Sequence, residues 1–229
     1  MTGAGGRAAA DGRLGLVGCG AQARYLFEIA AALGRRYAVT VIDPLGQGPT
    51  TLYGHPVRRE GDLAAVMRLF REAGVGEAHV AMADNRLKLQ WLRGLARAGF
   101  ALPPWIHPRA VVASTARVGA ASLVNPGAVV GPEARIGEGC IIHSNVNVDH
   151  DCVLEDGVNL APGVSLAGRV HIETCATVYT GATVIPNVRI GAGAVVGAQA
   201  CVLADVPPGE TWVGVPAHPA ARRGPRAPC

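Results

Sequence analysis

From Ile106 to Val202 every sixth residue is Ile, Val or Leu, through 17 successive positions and without an insertion. The residue two places before these is usually small or Val, as at Ala110, Ala116, Ser122, Ala128, Ala134 and Cys140. Gly or Pro recurs just after them, at Gly119, Pro126, Gly131, Gly137 and Pro162, where a chain that turns needs them. A period of six suits neither an α-helix nor a flat strand. It predicts a parallel β-helix whose short repeats bury their apolar face only against the coils on either side. Three hexads close a triangular coil, so residues 18 apart stack on one another.

The hydrophobic pattern before Ile106 is different. Leu14–Val17 reads as a buried strand, followed by a Gly-rich turn at Gly18-Cys19-Gly20-Ala21-Gln22-Ala23 and a helix reaching about Leu33. Val39–Ile42 predicts a second strand, ending at Asp43. Residues 62–73 predict a helix, 79–83 a strand, and 85–98 a helix with Leu87, Leu89, Leu92 and Leu95 on its apolar face. Alternating strands and helices imply a small parallel sheet covered by helices. The fold class expected is therefore an α/β, Rossmann-like N-terminal domain followed by an all-β parallel β-helix. Expected bounds are a disordered stretch at 1–12, the Rossmann-like domain at 13–103, the β-helix at 104–217 and a flexible tail at 218–229. Strand, Gly-rich turn and helix in this order form a dinucleotide-type fingerprint, with Asp43 placed to accept hydrogen bonds from a ribose.

Composition narrows the picture. Charged residues make up 17% of the chain and aromatic ones 4%, with 31 glycines, which suits a narrow aliphatic interior. The net charge is +4, and Arg222, Arg223 and Arg226 lie in the tail. No basic run with interleaved aromatics appears, so nucleic acid is not an expected partner. No apolar run approaches the roughly 18 residues of a membrane span, and the start is not a signal peptide. The six cysteines form no CxxC pair, and Cys140 and Cys152 fall in the small-residue phase as packing thiols. A reduced, cytoplasmic protein is expected.

His150 follows the aliphatic Val148 by two places, a turn phase that other repeats fill with Pro, Gly, Ala or Ser. It therefore projects from a corner, flanked by Asp149 and Asp151. A carboxylate beside an imidazole orients the ring and stabilises its protonated form. Gly168 lies 18 residues on, at the same corner one coil away, where its N–H can meet a developing oxyanion. His143, His150 and His171 occupy three different phases of the repeat, so no metal site is expected.

From Gly15 to about Ala217 the chain resembles the hexapeptide-repeat acyltransferases that place a small nucleotide-binding domain before a left-handed β-helix. These include the N-acetyltransferases of nucleotide-linked amino sugars and the sialic-acid O-acetyltransferase-like proteins. The matching residues are the loop from Gly18 to Arg24, Asp84-Asn85-Arg86, Ile106-His107-Pro108, Asp149-His150-Asp151, Ala161-Pro162-Gly163-Val164, Leu166-Ala167-Gly168 and Val213-Gly214-Val215-Pro216-Ala217. The resemblance implies catalytic roles for His150 as base, Asp151 as its orienting acid and Gly168 as oxyanion donor. It implies an acetyl-CoA site including Gly168, Thr180 and Ala198. It implies a nucleotide-sugar site including Gly18, Gly20, Gln22, Asp43, Asn85 and Arg86. Gln22 and Asn159 stand where the family commonly carries histidines. The activity so implied is N-acetylation of a nucleotide-linked 4-amino-6-deoxy sugar for surface glycans. O-acetylation of a sugar such as a sialic acid, and a non-catalytic nucleotide-sugar-binding scaffold, are the alternatives. A homotrimer is expected, because the positions before the aliphatic ones, including Val111, Leu123, Val129, Ile141, Val153 and Val195, would leave a monomer with a large apolar surface.

Overall fold

The computed structural model describes residues 12–220, so the expectations for 1–11 and 221–229 lie outside the described residues. The described residues fall into two compact units: 12–83 with 91–103, and 84–90 with 104–220.

In the first unit a five-stranded sheet has the order β3-β4-β2-β1-β5. Its strands are β1 (Gly12–Val17), β2 (Tyr37–Asp43), β3 (Thr51–Leu52), β4 (His55–Arg59) and β5 (Glu77–Val80). All pairs are parallel except the β3–β4 hairpin. Leu14, Leu16 and Val17 of β1 are buried, as the sequence predicts for this strand. Helix α1 (Ala21–Ala32) follows it. Helix α2 (Leu63–Glu72) starts where Asp62 caps it, its carboxylate accepting from the Ala65 N–H at 2.9 Å. Helix α3 (Asn85–Arg97) starts at Asp84, whose carboxylate accepts from the Leu87 N–H.

The β3–β4 hairpin was not visible in the sequence. Its turn residues Tyr53 and Gly54 both have positive φ (46° and 79°), and the usual Asn-Gly or Asp-Gly signal is absent.

The second unit is a three-faced parallel β-helix. Two-residue strands stack at a register of 18, as in Val129↔Asn147 and Val130↔Val148. They form faces of six, five and eight strands. Every position of the series from Val124 to Val202 is buried in one core, with the small residues two places before them. Each corner contains a residue with left-handed φ at six-residue intervals, from Ala121 through Gly127, Glu133, Gly139, Asn145, Asp151, Gly157, Gly163, Arg169 and Cys175 to Gln199. The repeat thus has a backbone period as strict as its apolar one. His218–Pro219, assigned to the tail from sequence, pairs antiparallel with Trp212 and Val213.

The faces differ on the outside. The six-stranded face shows Val111, Val129, Asn147, Ser165, Thr183 and Cys201, none of them charged. The eight-stranded face shows Leu123, Ile141, Asn159 and Thr177 and carries the start of α3, where the Asn85 side-chain amide donates to Thr177 Oγ1 at 3.2 Å. Leu123 and Ile141 are 1% and 2% exposed, which corrects their expected place on an open apolar surface. Val111 and Val129 remain exposed, at 63% and 40%. No helix among the described residues is long and apolar enough to cross a membrane.

Candidate active site

The corner between the six- and five-stranded faces carries Pro132, His150, Gly168 and Pro186, each one coil from the next. In this phase of the repeat the backbone amide lies outside the inter-coil ladder. Pro132 and Pro186 have no N–H. The His150 N–H is taken by the Asp149 carboxylate at 2.7 Å. The Gly168 N–H has no acceptor among the described residues. It is the one free donor of these four, and it sits beside the imidazole.

The contact is close. A Cβ at Gly168 would lie 2.5 Å from His150 Nε2 and 2.6 Å from its Cε1, so the ring rests against the glycine Cα where only hydrogen fits. At the far side of the ring, His150 Nδ1 and Asp151 Oδ2 are 2.8 Å apart. A carboxylate is an acceptor, so Nδ1 is the donor of this pair, and Nε2 is the ring nitrogen on the Gly168 side. Asp151 sits at φ 56°, the left-handed conformation that the corners of the repeat share at six-residue intervals. Side-chain exposures of 43% for His150 and 51% for Asp151 leave the dyad open to a substrate.

Thr180 and Ala198 are not at this corner. They follow strands of the eight-stranded face and precede strands of the six-stranded face, so within one chain the width of a sheet separates them from His150 and Gly168.

The nucleotide candidates divide between the two units. Gly18, Gly20, Gln22 and Asp43 are in the first; Asn85 and Arg86 are in the second. Gly18 has φ 96° and its backbone packs on Ala81, so the turn admits no side chain. Gly20 is the N-cap of α1, which has no side-chain cap and no acidic residue in its first turn. Gln22 Oε1 is buried and unpartnered. Asp43 is 5% exposed, and its two carboxylate oxygens accept from the Leu45 N–H (3.1 Å) and Gly48 N–H (2.7 Å). It organises its own loop, where the sequence suggested a ribose contact. Asn85 is engaged with Thr177 and with Lys88 Nζ.

His143 and His171 stand apart from the dyad. His143 is at another corner beside Asn125, and burial followed by the nearby Lys88 charge lowers its pKa. His171 Nε2 is 3.0 Å from Glu155 Oε1 on the five-stranded face. Glu155 also accepts from the Thr174 N–H and hydroxyl, which hold its carboxyl below the usual range. Among the described residues no group of three metal-ligating side chains occurs.

Residues 133–168 match the family described as bacterial transferase hexapeptide (six repeats). The whole chain is similar to a histidine-to-alanine variant of GDP-perosamine N-acetyltransferase from Caulobacter crescentus, a structure holding CoA and GDP-perosamine. That match is 34% identical, covers 93% of this chain and 99% of the other, and has a TM-score of 0.84. The acetyltransferase domain of PglB from Neisseria gonorrhoeae FA1090, in complex with acetyl coenzyme A, is 31% identical, with 91% and 98% covered and a TM-score of 0.82. The chain belongs to the sugar N-acetyltransferases of the left-handed β-helix type. A shorter match, 40% over 72 residues, links this acetyltransferase to the acyl-[acyl-carrier-protein]–UDP-N-acetylglucosamine O-acyltransferase of Gloeothece citriformis. It spans 31% of this chain and 26% of that relative's length.

Sequence reasoning missed two features of the acetyltransferase that carry charge. Lys88 is 1% exposed at the start of α3, and an arginine pair stands on the five-stranded face. The second had a signal: Arg117 and Arg135 are 18 apart in the outward phase.

Proposed function

We propose that the chain transfers the acetyl group of acetyl-CoA to the amine of a nucleotide-linked amino sugar, of the 4-amino-6-deoxy type used in surface glycans. The observation that carries the reading is the pairing at one corner of a carboxylate-oriented imidazole with the unpaired Gly168 amide. His150 Nε2 takes a proton from the acceptor amine as its nitrogen bonds the thioester carbonyl carbon. Asp151 holds the Nδ1–H and stabilises the imidazolium. The Gly168 N–H donates to the carbonyl oxygen as it becomes an oxyanion. Collapse of the tetrahedral intermediate breaks the C–S bond, and CoA leaves with the proton.

The nucleotide is assigned to the Rossmann-like unit, at Gly18, Gly20 and Gln22. The buried Gln22 Oε1, without a partner among the described residues, can accept from a donor group of the nucleotide. Asp43 acts there by shaping the loop. Thr180 and Ala198 at the other corner fit a CoA site completed by a second copy, and the working form proposed is a homotrimer with sites shared between copies.

CoA release measured over a panel of nucleotide-linked amino sugars, free amino sugars and free sialic acids tests the reading, with His150→Ala as control. Release only with the nucleotide-linked amines supports it, as does a loss of at least about 10²-fold in kcat for the variant with acetyl-CoA binding kept. Release with sialic acid alone, or a kcat within about tenfold of wild type for the variant, contradicts it.

A further inference from the structure

The outer positions of the five-stranded face read Arg117, Arg135, Val153, His171 and Arg189, one per coil. The basic side chains at its C-terminal end have acidic partners within the chain. His171 is 3.0 Å from Glu155, and Arg189 is 2.7 Å from Glu173. Arg117 and Arg135 are not. They stand directly opposite each other on adjacent strands, both are exposed, and neither side chain has an ion pair or hydrogen bond among the described residues. Glu133 and Glu138 flank Arg135 in sequence and leave it unpaired. Like charges opposite one another on a sheet are destabilising, so the pair adds nothing to the fold by itself. It is what an anion bound across two coils requires.

The pair's place relative to the dyad selects the anion. Asp151 leads within two residues into Val153, and Val153 pairs with Arg135. Arg135 and Arg117 therefore lie about 5 and 10 Å before the dyad along the coil axis. A phosphate on the anomeric carbon of an amino sugar is separated from the ring amine by the width of one pyranose. The pyrophosphate of CoA is separated from its thioester by the whole pantetheine arm.

We propose that Arg117 and Arg135 form the subsite for the sugar-borne diphosphate of the acceptor, holding it while the amine reaches His150 Nε2. This rests on the function proposed above and adds the group that the site reads and the residues that read it. The planar guanidinium forks suit the paired oxygens of a diphosphate better than ammonium groups would.

The test is steady-state kinetics of Arg117→Gln, Arg135→Gln and the double variant, each with a nucleotide-linked amino sugar and acetyl-CoA varied in turn. Both side chains are exposed, so the variants fold, and a thermal midpoint at or above the wild type's checks this. The KM for the nucleotide-linked sugar is expected to rise about tenfold or more per arginine, the effect falling on KM more than on kcat. The KM for acetyl-CoA stays where it was, and Arg135→Lys restores part of the loss. A wild type that turns over nucleotide-linked sugar while the double variant keeps its KM overturns the subsite and leaves the proposed function standing. A rise confined to the KM for acetyl-CoA overturns it too, by assigning the pair to CoA. A wild type that acetylates no nucleotide-linked sugar overturns both.

Discussion

At Gly168 one hydrogen atom in place of a methyl group decides whether the candidate site exists. The His150 ring occupies the space a Cβ would take, and the three atoms nearest that space all belong to the ring. Gly168→Ala is therefore expected to keep the coil and displace the imidazole from its Asp151 partner. We expect kcat to fall by about 10²-fold or more with a thermal midpoint near wild type, since base and oxyanion donor are disturbed together. Kinetics alongside a melting curve check this; an active variant would mean that the ring is free to move and that its present contact has no catalytic part. His150 was legible from sequence because its phase in the repeat points outward and its neighbours are acidic. What made Gly168 distinctive was not legible. That Pro132, Pro186 and the Asp149–His150 contact silence every other amide from Pro132 to Pro186 emerges only when the coils are stacked.

Elements show the same division. The strands and helices of the first unit follow from apolar periodicity, apart from a hairpin whose turn breaks the usual chemistry at Tyr53. Helix α3 was expected as a helix with an apolar face, but nothing in a single-helix pattern says that residues 84–90 group with the coils. Lys88 is the element's unusual feature. It is buried, and its Nζ donates to Asn85 Oδ1 at 3.2 Å. Burial lowers its pKa from 10.5 to about 8. Between those values the unfolded chain binds more protons than the folded one, so stability rises with pH across that window. Below about 8 the full penalty of a buried charge is present. Lys88→Met is accordingly expected to stabilise the protein by roughly 1–3 kcal/mol at pH 7. The gain should shrink as the pH is raised through the same window. Denaturant melts at several pH values measure it; a destabilised variant with no pH trend would show that the amine is needed for its hydrogen bond more than it is penalised for its charge.

At the scale of the whole molecule, the period of six makes the β-helix legible in the amino-acid sequence. The character of its three faces is not legible there, because a hexad pattern does not say which outward positions another segment covers. Leu123 and Ile141 are covered; Val111 and Val129 are open on a face without charge. That uncharged six-stranded face is the surface through which we expect three copies to associate. Light scattering should give about three times the 23.5 kDa of one chain, and Val129→Glu should lower that mass and activity together. A trimer indifferent to Val129→Glu would place the contact elsewhere. What the molecule as a whole does is decided by the position of the transferred acetyl group. The protein is incubated with acetyl-CoA and a nucleotide-linked 4-amino-6-deoxy sugar, and the product is characterised by two-dimensional NMR and mass spectrometry. A single acetyl group in amide linkage to the sugar nitrogen is expected, with one CoA released for each amide formed. An acetyl ester on a sugar hydroxyl, or CoA release with no acetylated sugar, is incompatible with amine acetylation at the His150–Gly168 corner.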